Sequence, residues 1–239
     1  MSEFSNEPMT PSSSSTSFFQ TWITALTKPN EQTYATLASS PTANANKAYL
    51  WIFVAALVNF FFAMLVQGAV MQNMLQQFGE DASSISGLFG GGFIAALCGA
   101  PVSAAFSVLF FALGVAITQW IAKMFGGQGT YNQLAYAFGA ILAPYMLVSS
   151  LLTLLSAIPF VGFCFAGIAV IAGIYILVLE IMAVKGVNQI SWGGAIGSLL
   201  IPVLVIGFVC ACLVIGTLTL LGPVIGDVFD SINQSLGEF

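Results

Sequence analysis

Histidine and arginine are absent from this chain of 239 residues, and four lysines stand against nine carboxylates, for a formal net charge of -5. Without histidine there is no Ser-His-Asp or Cys-His nucleophile pair and no HExxH zinc motif. Without a basic stripe to neutralise phosphates, a nucleic-acid partner is excluded. Charged residues of every kind make up 5% of the sequence, whereas a soluble domain carries about a quarter. A water-facing surface therefore cannot be assembled. Cysteine is also scarce: Cys98, Cys164, Cys210 and Cys212 each lie in an apolar stretch, with no CxxC spacing among them. That pattern supports neither a metal or redox pair nor a disulfide framework, and small apolar packing residues are the expected role. No cofactor or metal is expected, and no enzyme activity. Intramembrane aspartyl chemistry needs two acids at membrane depth, and Glu180 is the only acid inside an apolar run.

What the sequence does hold is apolar surface, at 58% hydrophobic residues. Five runs approach the roughly 20 residues that cross hydrocarbon as a helix: Ala48 to Val70, Phe93 to Ile121, Leu134 to Ala157, Phe163 to Val184 and Ala195 to Leu221. The expected fold is all-α, a polytopic membrane bundle of five transmembrane helices with short interfacial helices at both ends. Residues 1–17 form a polar tail with the run Ser12 to Ser15, expected to be disordered. They lack the cationic start and apolar core of a signal peptide. Residues 18–47 are expected as a cytoplasmic interfacial helical segment. There Phe18, Phe19, Trp22, Ile23 and Leu26 recur at helical spacing as an aromatic stripe too short to span. Pro29 ends that helix, and Glu31 to Ser39 suits a second short one.

Residues 48–221 are the five-span domain. The first span extends as an amphipathic face through Met71, Met74, Leu75 and Phe78, before Glu80, Asp81 and a connector with Gly87, Gly90, Gly91 and Gly92. That glycine cluster lacks the lysine and spacing of a phosphate loop. Pro159 and Gly162 mark a tight turn after the third span. Residues 222–239 are a short acidic tail in which Ile225, Val228, Phe229, Ile232 and Leu236 follow helical spacing.

The lysines orient the bundle. Lys28 and Lys47 precede the first span, Lys123 follows the second and Lys185 follows the fourth. With the N-terminus in the cytoplasm all four fall on the cytoplasmic side, as the positive-inside rule requires. The opposite side, with the C-terminus, then receives Glu80, Asp81, Asp227, Asp230 and Glu238.

Within the spans, Glu180 is the one ionisable residue. At a membrane centre such a group costs about 2.5–3.5 kcal/mol on insertion scales. Glu180 lies about one helical turn from the end of its span at Val184, where it is expected to reach water or pair with Lys123; a proton or ion relay is the alternative. Small residues recur every four positions, as Gly99, Ser103 and Ser107, as Gly92, Ala96, Ala100 and Ala104, and as Gly193 and Gly197. That spacing lets helix backbones approach closely in lipid. Pro101, Pro144 and Pro202 each fall inside a span and free a carbonyl that a neighbour must satisfy.

Between the second and third spans stands Gly126-Gly127-Gln128-Gly129-Thr130-Tyr131, followed by Gln133, Tyr136, Ala137 and Pro144. The glycines suit a tight turn needing positive backbone angles, and Trp120 and Tyr131 suit headgroup depth. This stretch resembles the Yip1 domain, whose short GG-x-G-S/T-aromatic loop precedes a span with a tyrosine-alanine pair and a proline. The run Pro29, Glu31, Thr33, Tyr34 and Leu37 resembles the approach to the first span in prokaryotic members. Lys185-Gly186-Val187 before Ser191 resembles the family's loop after the fourth span.

The resemblance implies a five-span fold with a cytoplasmic N-terminus, and the absence of the eukaryotic head motif favours a prokaryotic plasma membrane. Eukaryotic members are linked to small GTPases and vesicle traffic, through a head carrying an acidic-Leu-Tyr-Gly-Pro motif. No such motif precedes Ala48 here, which argues against GTPase docking. The expected function is a non-enzymatic membrane adaptor or organiser, with the lipid bilayer and membrane-protein partners or self-association around it. The alternative is a small channel, transporter or lipid-handling protein using Glu180.

Overall fold

The computed structural model describes residues 17–78, 92–156 and 161–237, and every regular element among them is helical. In chain order these are α1 (Phe18–Thr27), α2 (Glu31–Ser39), α3 (Ala45–Phe78), α4 (Gly92–Met124), α5 (Tyr131–Ser156), α6 (Val161–Asn188) and α7 (Trp192–Gly237). The helices α3 to α7 each contain a segment long and apolar enough to cross a membrane: Ala45–Met64, Gly99–Met124, Tyr131–Leu155, Gly167–Asn188 and Trp192–Thr219. The chain is an integral, multi-pass helical bundle, as its composition required. The polar tail through residue 16, the connector with Glu80, Asp81, Gly87, Gly90 and Gly91, and the turn at Pro159 lie outside the described residues.

Helix ends run past the limits of apolarity because local hydrogen bonds decide them. α7 begins at Trp192, ahead of the apolar run, where the Ser191 hydroxyl accepts the Gly194 N–H at 3.3 Å as an N-cap. α6 continues beyond Val184 to Asn188. It stops where Gln189 takes a left-handed backbone, φ 54°, and donates its N–H to the Lys185 carbonyl at 2.8 Å. At its far end α7 passes Gly222 and Pro223 without a break. The amphipathic tail expected from residue 222 is thus a continuation of the span's own helix, which at ~1.5 Å per residue reaches roughly 70 Å.

α5 is the central helix, packed on α1, α2, α3, α4 and α6, with α3 its most extensive neighbour. Lipid gives apolar side chains no incentive to cluster, so close backbone approach through small residues does the packing. Ala135, Ala137, Ala140 and Ala143 of α5 are buried, and a Cβ placed on Gly139 would stand 2.6 Å from Ala48 Cβ of α3. Of the ladders read on α4, Ala104 is fully buried, and Gly99 lies against Phe60. On α7 the contact is made by Gly194 and Gly197, both against Phe125; Gly193 faces open space. The seam there is spaced by three residues rather than four.

The short N-terminal helices are built into this core. Ala25, Tyr34 and Ala38 share one buried cluster with Leu134, Ile141, Leu179 and Val184. A helix end leaves carbonyls without partners, and two phenols satisfy those of α1. Tyr34 donates to the Ala25 carbonyl at 2.7 Å and Tyr175 of α6 to the Leu26 carbonyl at 2.6 Å. α2 starts at Asn30, whose side chain accepts the Gln32 N–H at 3.1 Å. Burial pushes the Tyr34 phenol upward, with a further contribution from Tyr175.

Candidate functional site

The loop of residues 125–130 joins α4 to α5 and sits against the end of α6. Its shape follows from glycine. Gly126 takes φ 85°, a left-handed angle that any side chain strains. Gly127 N–H turns back to the Ala122 carbonyl at 2.9 Å. A Cβ on Gly127 would come within 2.9 Å of Asn188 Oδ1, and one on Gly129 within 2.8 Å of both Asn188 Oδ1 and the Val187 carbonyl. The glycines therefore serve two needs, one sharp backbone angle and two contacts too close for a methyl group.

Two buried amides fasten the loop. Gln119 of α4 donates from Nε2 to the Gly129 carbonyl at 2.7 Å and to Asn188 Oδ1 at 2.8 Å. Asn188 donates to the Val184 carbonyl at 3.2 Å, and its own carbonyl accepts the Gln128 N–H at 3.0 Å. Both residues are almost wholly buried, and Gln119 Oε1 has no protein partner. Inside a low-dielectric bundle such bonds are strong and their loss is costly.

The loop closes onto α5 through a capping box. The Thr130 N–H and hydroxyl both donate to Gln133 Oε1, at 2.9 and 3.0 Å, and the Gln133 N–H reaches back to Thr130 Oγ1 at 3.4 Å. Tyr131 then turns inward, half-buried against α3 and α4. Tyr49 and Tyr131 share a 2.6 Å hydroxyl contact, and Tyr131 donates to the Ala112 carbonyl at 3.2 Å. Tyr136 is buried with its ring 5.2 Å from that of Trp51, and Pro144 is buried in the middle of α5. Trp120, by contrast, is largely exposed.

The charged residues are arranged differently from the pairing considered for Glu180. Lys185 forms its ion pair with Glu31 of α2 and lies 4.6 Å over the Trp192 ring. Lys123 is exposed at the end of α4, and Glu180 stands half-buried on α6 with no ion-pair or hydrogen-bond partner among the described residues. The neighbouring Gly186 is obligatory, because a Cβ there would overlap the Glu31 carbonyl oxygen. The site thus joins Gly126, Gly127, Gly129, Thr130 and Tyr131 to one another, and Lys185 to α2, without joining Lys123 to Glu180.

Sequence reasoning missed Gln119, Asn188, Tyr49 and Glu31 as structural partners. Gln119 carried a readable signal, since an amide inside an apolar span needs a partner. Glu31 carried none, because its partner lies 154 positions away. No group of three or more potential metal ligands occurs among the described residues. Apart from Gln119 Oε1, the polar groups described around the loop bond one another, and these bonds fix the shape of the loop.

A family model described as the Yip1 domain matches residues 23–214, from the middle of α1 into α7. No curated protein and no solved structure matches the chain.

Proposed function

The chain belongs to the Yip1 domain family, and on that premise we propose that it is a non-enzymatic adaptor that organises other membrane proteins from its cytoplasmic face. The lysines support placing the N-terminus and the loop of residues 125–130 in the cytoplasm. One observation carries the reading: the segments at that face are locked before any partner arrives. The loop is held by Gln119 and Asn188, and α2 by Lys185. A surface that is ordered beforehand loses little freedom on docking. Its exposed groups include Gln128, Thr130, Met124 and Trp192.

The test places a photo-crosslinking residue at Gln128 or Thr130 in native membranes and identifies adducts by mass spectrometry. A recurrent protein partner at both positions supports the adaptor; no reproducible adduct at either refutes it. Glu180 favours a second reading, a small channel or lipid transporter, because it is an acid in a span without a partner. That reading requires liposome flux that Glu180→Gln abolishes, and flux equal to empty liposomes ends it.

A further inference from the structure

α1 packs directly against two of the candidate spans. Its Leu26 carbonyl is bonded to Tyr175, inside the candidate span Gly167–Asn188. Tyr175 precedes Lys185 by roughly 15 Å of helix rise. Its Trp22 ring packs at 5.9 Å on Trp51, inside the candidate span Ala45–Met64. The face of α1 turned away from the protein shows Phe18, Phe19 and Ile23, exposed by 57%, 60% and 47%. Beside helices of that length and apolarity, the medium meeting these side chains is acyl chain and headgroup boundary.

Two lysines stand at this place. Lys28 directly follows α1, and Lys47 lies one turn ahead of Trp51 on the same face of α3. Both are exposed and neither has an ion-pair partner among the described residues, while Glu31, the acid closest to them in sequence, is held by Lys185. An apolar helix face flanked by two cations without an ion-pair partner among the described residues matches the charge and polarity of a phospholipid with a negative headgroup.

We propose that α1, Lys28 and Lys47 form a binding site for an anionic glycerophospholipid, with Phe18, Phe19 and Ile23 against its acyl chains and the two ammonium groups at its phosphate. The site does not depend on the adaptor reading and stands if no protein partner exists.

The experiment is native mass spectrometry of the full chain released from nanodiscs of equal parts phosphatidylcholine and phosphatidylglycerol. The wild-type chain retains phosphatidylglycerol preferentially, and K28Q/K47Q lowers that preference about tenfold, given the pull of an anionic surface on each lysine. K123Q, on a helix that packs chiefly on α3 and α7, leaves the preference unchanged. F18S/F19S, which keeps every lysine, lowers retention of both lipids. The proposal is overturned if K28Q/K47Q retains phosphatidylglycerol as the wild type does. It is equally overturned if K123Q causes the same loss, since total charge rather than this site would then be responsible.

Discussion

At the lysine-bearing end of the bundle, Gly127, Gly129, Gly139 and Gly186 each have a neighbour closer than a methyl group tolerates, whereas a Cβ on Gly207, Gly216, Gly222 or Gly226 of α7 meets nothing within 4 Å. The same division runs through the larger side chains. Leu134, Ile141, Leu179 and Val184 are fully buried, while Leu204, Phe208, Leu213 and Leu218 of α7 are each more than half exposed. In water the second set would be untenable. In lipid an exposed leucine costs nothing, so helices are held together only where backbones touch and polar groups need one another. The lysine-bearing end has those polar groups: two amides, four phenols and an ion pair. The far part of α7 has almost none, and it remains solvated by lipid.

Substitutions graded by this contrast test it. The largest effect is expected at Gly186, where Val would collide with the Glu31 backbone. A loss of about 3 kcal/mol or more is expected, seen as little folded protein on size-exclusion chromatography, and a normal yield would break the contrast. Gln119→Leu leaves the Gly129 carbonyl and Asn188 Oδ1 buried without donors. It should cost about 2–3 kcal/mol, read as a lowered midpoint in a denaturant titration of the micellar protein. Gly126→Ala meets no atom and suffers only from its backbone angle. Its cost is about 1 kcal/mol, and hydrogen exchange should rise in residues 125–130 alone.

Smaller effects complete the series. Lys185→Gln removes a partly exposed ion pair and should cost no more than about 1 kcal/mol, with the gain in exchange confined to α2. Leu213→Ala in the lipid-facing part of α7 should stay within about 0.5 kcal/mol of wild type. A large destabilisation there would reveal a contact this single chain does not make, and self-association would be the first explanation to examine by analytical ultracentrifugation.

Much of the fold was legible because a bilayer imposes a one-dimensional rule: a run of about 20 apolar residues becomes a helix. α1 and α2 were also legible, from an aromatic stripe at helical spacing and from Pro29 between them. The loop of residues 125–130 was legible as a turn. Its fastening was not, since Gln119 and Asn188 reach it from two different helices. The bond between Tyr131 and Tyr49 was not legible either, because a hydroxyl partner on a neighbouring helix is invisible along the chain. α1 and α2 were expected as a cytoplasmic interfacial segment, and how they pack was not legible. Their burial with α5 and α6 depends on Tyr34 and Tyr175 capping the carbonyls at the end of α1.

The sequence by itself determined that this chain lives in a membrane, how many times it can cross and which helices carry small residues for packing. Those properties follow from local composition and helical period, which need no knowledge of neighbours. Only the tertiary structure decided that Lys185 pairs with Glu31 and that Lys123 does not reach Glu180, that α5 is the centre, and that the far part of α7 stands apart. The reason is that hydrogen bonds and ion pairs in a low-dielectric bundle are satisfied between helices distant in sequence, and apolar helices that look alike in sequence differ only in which neighbours reach them.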